Sequence, residues 1–463
     1  MSPARYPTLA SLRPVIGGAL ALLIAAAVAV SPLLPWPQIT ATPAHTEVAV
    51  DTPERVAVCT GALLAVGRDS TDADGLSVAA PQAVTVGGDS APSDSVLRSD
   101  ATTSAPTVWT SIAGATGSAS AFAAAGAVSI SDADLVGYAS SACQTPLMDS
   151  WLVAGSGATG ASDLVIISNP GEVAATVDLT VYGAGGATAP PGGTDIIVAP
   201  GAQRVIALAG IALGEESPVV HVQATGAPVA ASLQSSITRT LEPGGIDQSG
   251  MLASPDGQLT IGGVAVTVDG LTASAGEAPT QVRILAPTTA GAATITAYAV
   301  GETTPARDPI TVELAAGIPA VVEVPDLPVG SYVIEVTAPV VIAASVWQTT
   351  GFGAGADFAW YLPSPLLGAE SVISVPAGPS PRLTLMNPGQ TDASVELTSE
   401  LTGPVSVTIP AGSSAQLSVS ASTVYHLSGD SVAAAVGFAG DSSLGSFPVW
   451  ATDAGAEPIV VYP

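Results

Sequence analysis

The sequence predicts a mainly β fold, with an N-terminal transmembrane helix followed by tandem immunoglobulin-like β-sandwich modules. Three observations predict it. The 463 residues include 49 Gly and 39 Pro, which suits tight turns and breaks long helices. Short runs such as "TVDLTVYG", "VSVTI" and "AQLSVSAS" alternate apolar and polar residues, the period of a strand with one buried face. Past residue 150, one strand–turn–strand pattern recurs three times. Strands at a spacing of roughly 8–12 residues, with turns between them, argue for sandwiches.

The elements follow in chain order. Residues 15–34, "VIGGALALLIAAAVAVSPLL", are apolar and uncharged. At about 1.5 Å per residue they are long enough to span a hydrocarbon core. Arg5 and Arg13 precede the run, and Glu47 and Asp51 follow it. The positive-inside rule then keeps residues 1–14 in the cytoplasm and exports the bulk of the chain. The expected location is the cell membrane, single-pass, with the membrane as a partner through this helix. A cleaved signal peptide is the alternative, although signal cores of about 7–15 residues are shorter than this run. Residues 35–45 read as a linker.

Residues 46–150 read as an irregular β-module, with a Ser/Thr/Ala/Gly-rich interior. Cys59 and Cys143 lie here, past the anchor, where thiols can oxidise. Paired, they close a loop of about 85 residues, worth about 4–5 kcal/mol by chain entropy. Two free thiols are the competing reading.

The copies span 151–250, 251–368 and 369–463. The first opens on "SDLVIISNPGEVAATVDLTVYG", the second on "TQVRILAPTTAGAATITAYAVG" and the third on "PRLTLMNPGQTDASVELTS". The turn prolines are Pro170, Pro287 and Pro388. Asn169 and Asn387 are the chain's two asparagines, and both lead an N-P-G tripeptide completed by Gly171 and Gly389. Copy two has Ala286 in place of Asn. The tripeptide reads as a structural turn of type II, with Asn bonding to the backbone two residues on and Gly taking positive φ. Each copy offers a second turn, at Gly201, Gly317 and Gly412. Each is expected to close on a hairpin, as in "VVHVQATGAPVAASLQSS".

The block "ACQTPLMDSWLVAGSGATGASDLVIISNPGEVAATVDLTVYG" carries a resemblance. Its Cys143, Pro146 and Trp151, followed by a glycine-rich turn and N-P-G, resemble a family of anchored actinobacterial envelope proteins of unassigned function, of the "large extracellular" type. The resemblance implies an exported β-rich protein and brings no catalytic residue with it.

Charge excludes several functions. All ten basic residues are Arg, against 38 acids, for a net charge of −28. Phosphate backbones and anionic lipid surfaces need a basic face, so neither nucleic acid nor peripheral membrane binding is expected.

Candidate chemistry is sparse. His45 lies in the linker, while His221 and His426 lie on strands, with Ile334 aligned to His221 in copy two. The chain has no G-x-S-x-G elbow for a nucleophilic serine. "GSGATGASD" lacks the Lys of a phosphate loop and reads as a turn. Asp69, Asp72 and Asp74 precede Gly75 as in a calcium loop, but the closing acid is absent. Asp247, Asp256 and Glu242, placed in the loop between copies one and two, are candidate paired carboxylates. Trp347, Trp360 and Tyr361 are a candidate glycan platform, or a seal at a domain seam. The sequence therefore predicts a non-enzymatic envelope scaffold or adhesion-type protein, without cofactor or metal. Its partners would be envelope proteins or cell-wall glycan. The alternatives are a wall-glycan-binding module array and a divergent hydrolase.

Overall fold

The computed structural model describes residues 46–48, 54–68, 75–99, 106–112, 120–268, 278–451 and 459–461. The expected anchor at 15–34, its linker, His45 and the acidic run Asp69–Asp74 lie outside the described residues. Among the described residues no helix is long and apolar enough to cross a membrane. The chain divides into two units. The smaller joins Met1–Val50 with Glu457–Pro463, and in it Thr46–Val48 pairs antiparallel with Ile459–Val461. All that follows concerns the larger, Asp51–Ala456.

This unit is mainly β, and its many sheets are almost wholly antiparallel. Its one described α-helix is the single turn Leu208–Ile211. In copy one, the first sheet runs Asp149–Leu152, Val219–Thr225, Ala175–Gly183 and Gly186–Thr188. The second runs Glu242–Ser249, Ala230–Arg239, Leu164–Asn169, Ala202–Ala207 and Arg98–Ser99. The last pairing is parallel. Val177, Leu179 and Val181 of the first sheet share one apolar cluster with Val165, Ile167 and Leu233 of the second. The alternation of "ATVDLTVYG" is borne out, because every second residue of Ala175–Gly183 is buried. Each fully buried Leu or Ile here contributes about 1.5–3 kcal/mol.

Copy three repeats the layout. Glu370–Val375, Thr423–Gly429, Ala393–Ser399 and Val405–Ile409 form one sheet, and Ser413–Ser418, Arg382–Asn387, Ala433–Gly440 and Ser443–Pro448 the other. Copy two differs in one respect. Its strand Gly330–Thr349 pairs with Thr294–Ala299 through its first half and with Thr280–Leu285 through its second. One bent strand therefore serves both layers, with Pro339 at the bend.

The closing hairpins correct the sequence reading. Val219–Thr225 and Ala230–Arg239 do not pair with each other, because they lie in opposite sheets. The same holds for Thr423–Gly429 and Ala433–Gly440. Both strands bury a face in one core, and crossing between layers lets each do so. The hairpins instead join Ala230–Arg239 to Glu242–Ser249, and Ala433–Gly440 to Ser443–Pro448.

The N-P-G turn keeps its predicted hydrogen bond and loses its predicted backbone. Asn169 Oδ1 accepts from Gly171 N at 2.9 Å, and Asn387 Oδ1 from Gly389 N at 3.0 Å. Asn169 Nδ2 donates to the carbonyls of Val173 and Val198, and Asn387 Nδ2 to those of Thr391, Ile409 and Pro410. Gly171 and Gly389 are not among the residues with positive φ, so the type II expectation fails. Glycine is needed there for space, since a Cβ would lie 3.2 Å and 2.9 Å from the Asn Oδ1. Positive φ belongs to the second turn, at Gly201 (60°), Gly317 (73°) and Gly412 (65°). We expect Asn387→Ala to cost about 3 kcal/mol, from one lost acceptor and several stranded carbonyls. Asn387→Asp, which keeps Oδ1 but loses the donors, should cost nearly as much. Urea midpoints of the two variants check this.

Cys59 and Cys143 form a disulfide across 84 residues. Both cysteines belong to the N-terminal segment, and the bond ties the end of Glu54–Val58 to the end of Val136–Ala142, beside the Val58–Gln144 backbone bridge. Reduction should lower stability by about 2–4 kcal/mol, read as a fall in the calorimetric midpoint with and without reductant.

Candidate functional site

Four hairpins meet at the middle of the unit. Their return strands are Val136–Ala142, Glu242–Ser249, Phe358–Tyr361 and Ser443–Pro448. The first belongs to the N-terminal segment, and each copy supplies one of the others. Each packs against the next in chain order, and the last against the first, closing a ring. The N-terminal segment therefore touches both copy one and copy three.

Asp357, fully buried, sits where all four come together. Its Oδ2 accepts the N–H of Tyr138 at 2.9 Å and of Leu444 at 3.2 Å, and its Oδ1 that of Ile246 at 3.1 Å. Three amides from three other parts of the chain thus converge on one carboxylate. Glycines make room for it: a Cβ on Gly137 or Gly245 would lie 2.5 Å or 2.9 Å from Asp357 Oδ1. Both also have positive φ, at 144° and 114°. Burial pushes Asp357 up to about 7, and the amides of Tyr138, Ile246, Leu444 and Phe358 pull it back down.

Asp247 lies beside it, on the strand Glu242–Ser249. Its Oδ2 accepts Trp360 N–H at 2.8 Å, while its buried Oδ1 has no partner. Burial raises it well above the ordinary carboxylate range, and the Asp357 charge adds to the rise. The amides of Trp360 and Gln248 oppose that rise. Burial pushes the Tyr138 and Tyr361 phenols up, and the Asp247 carboxylate adds to the rise in both.

A second buried group lies at the seam of copies one and two. Asp163 accepts Ser156 N at 2.7 Å and Ser236 N at 2.9 Å. The "GSGATGASD" segment is therefore a turn wrapped on Asp163. Burial lifts Asp163 to about 7, against those two amides and the Arg283 charge. The Arg283 guanidinium donates to Pro218 O at 2.8 Å and lies 4.5 Å from the Trp360 ring centre. Burial pulls Arg283 below its ordinary value, and Asp163 opposes that.

The other sequence candidates are placed as follows. Trp347 and Trp360 are each 7% exposed and join copy one's apolar cluster, while Tyr361 is 1% exposed in that of copy two. A stacking platform needs an open ring face, and these rings fill seams between copies. Glu242 and Asp247 lie within a strand and Asp256 begins one, so none sits in the loop expected for them. Only Asp247 joins the buried pair with Asp357, a residue the sequence did not single out. The available signal was a glycine on each of three return strands, in "VGYAS", "GGIDQS" and "LGSFP".

His221 is not isolated. Its Nε2 lies 2.9 Å and 2.8 Å from the two oxygens of Asp149, and its ring stacks on Trp151 at 3.9 Å and 10°. Trp151 lies directly across the ladder from His221, so the group pins the edge strand Asp149–Leu152. His221 faces Thr180, as His426 faces Thr398. The copy-two residue in that position is Val333, facing Tyr298, and not Ile334, which points into the core. His426 Nδ1 lies 3.7 Å from Asp89 of the N-terminal segment. Among the described residues no group of three or more His, Cys, Asp or Glu is placed to hold a metal ion.

A profile described as a family of unknown function, DUF5719, matches residues 96–421, and the chain belongs to that family. No curated protein matches it.

Proposed function

We propose that this member of DUF5719 is a non-enzymatic scaffold or adhesion-type protein of an actinobacterial cell envelope. In this reading residues 15–34 anchor it in the membrane, and immunoglobulin-like β-sandwich modules stand on the outer side. The observation that supports it is the use made of the buried acids. Asp357 and Asp247 are both 0% exposed. Asp357 spends its oxygens on backbone amides from three other parts of the chain. A general acid or base must reach substrate within hydrogen-bond distance. These acids instead tie neighbouring segments together, which suits a protein that presents surfaces. The expected partners are envelope proteins.

The test is crosslinking of the tagged full chain in its own cells, followed by pull-down. A protein partner recovered in fixed ratio is expected. Hydrolysis of wall glycan by the purified chain, abolished in Asp149→Asn or His221→Ala, would overturn the reading in favour of a hydrolase. Protease protection of intact cells tests the topology, since residues 46–463 should be cut from outside.

A further inference from the structure

A cleft of about 670 Å3 opens where the connections between copies run. Residues 251–260, which lead from copy one to copy two, form one side. Residues 363–366, which lead from copy two to copy three, form another, and the Pro388–Gly389 turn and Trp450 complete it. It lies away from the buried acids, and the scaffold reading makes no use of it.

Its two sides differ in character. Leu252, Leu259, Leu366 and Trp450 supply an apolar wall. Leu366 is 55% exposed there. Ser254, Asp256 and Gln258, all exposed, supply a polar rim. Asp256 Oδ1 accepts Gln258 N at 3.3 Å, which orients the carboxylate and leaves Oδ2 free in direction. Among the described residues, Asp256 is the one charged residue lining the cleft, and no basic residue lines it. In a chain of net charge −28, that disfavours phosphates, carboxylates and other anions as occupants. A neutral ligand that fits has an apolar face and carries hydroxyls along its edge for a carboxylate, an amide and a serine. A pyranose ring has that constitution, with C–H groups on its face and hydroxyls at its rim.

We propose that this cleft binds a neutral saccharide, of about two or three pyranose units for a cavity in the ordinary ligand-site range. Trp450 and Leu366 pack on the ring faces, Asp256 and Gln258 accept and donate along the hydroxyl edge, and Ser254 closes the rim. The inference goes beyond the scaffold reading and does not depend on it.

The test is calorimetric titration of the full chain, purified without glycoside detergents that could enter the cleft. The probes are maltotriose, cellotriose, mannotriose and tri-N-acetylchitotriose. At least one should bind with a Kd below about 1 mM, and the double variant Asp256→Ala/Gln258→Ala should weaken it at least about tenfold. Both replaced side chains are exposed, so an unchanged thermal midpoint separates lost binding from lost folding. Silence from all four probes at about 10 mM, or binding that survives the double variant, would overturn the proposal. So would a proline nonapeptide or a diacyl lipid that occupies the cleft more tightly than any of the sugars.

Discussion

Replacing Asp357 by alanine should destabilise the 51–456 unit by about 6 kcal/mol, since three or more buried amides lose their acceptor at about 1–3 kcal/mol each. The amides of Tyr138, Ile246 and Leu444 belong to three different parts of the chain. No local rearrangement satisfies all three. Domain stabilities are commonly about 5–15 kcal/mol, so this variant should sit at the edge of folding. Urea denaturation followed by far-ultraviolet dichroism and by tryptophan fluorescence reads the effect. The two probes should also separate, because the parts lose their common joint before each loses its strands. The control is Asp247→Asn. Its amide oxygen can still accept from Trp360 N–H, and its nitrogen replaces a carboxyl oxygen that already lacks a partner. It should cost no more than about 1 kcal/mol. A loss under about 2 kcal/mol in Asp357→Ala would remove Asp357 from the centre of this account.

Stability should fall as pH rises from about 4 to about 7, against the habit of most acidic proteins. Asp163 and Asp357 are both lifted from 3.8 to about 7 by burial. Between those values the folded state holds protons that the unfolded chain has released. The unfolded chain binds fewer protons, so raising the pH favours unfolding throughout that window. Each acid then accounts for about 4 kcal/mol across it, at about 1.4 kcal/mol for each pH unit. Asp247, also raised by burial, adds to the decline. The net charge of −28 at pH 7 works in the same direction, since acidification relieves self-repulsion. Urea midpoints at pH 5, 6, 7 and 8 check the slope, and Asp247→Asn should make it shallower. A midpoint that rises from pH 5 to pH 8 would show that these acids stay ionised in the folded protein.

Much of the architecture was legible in local pattern. The alternation of Ala175–Gly183 and Ala393–Ser399 reports one buried face, and a strand with one buried face needs no knowledge of what covers it. The Asn-to-Gly hydrogen bond of the N-P-G turn spans two residues, so it too is written in the tripeptide. The disulfide could be anticipated because the chain offers one possible pair. The error at Val333 was one of parity. A strand flips sides with every residue, and aligning a loop length by eye is accurate to one residue at best.

Tertiary structure decided the rest. Whether Val219–Thr225 and Ala230–Arg239 pair or part depends on which sheet each must cover, and the two strands look alike in sequence. Asp357 carries no local mark in "GADFAW", because its partners lie 219, 111 and 87 residues away. Trp360 and Tyr361 look like an exposed platform until the neighbouring copies close over them. The cleft has no motif, since its wall and rim come from the two connections between copies, a turn and Trp450. Local pattern was enough to place the strands and turns, because those follow from side-chain period and backbone sterics within a few residues. How the copies lock together followed only from tertiary contacts, where burial of a charge is set by groups that no local reading brings into view.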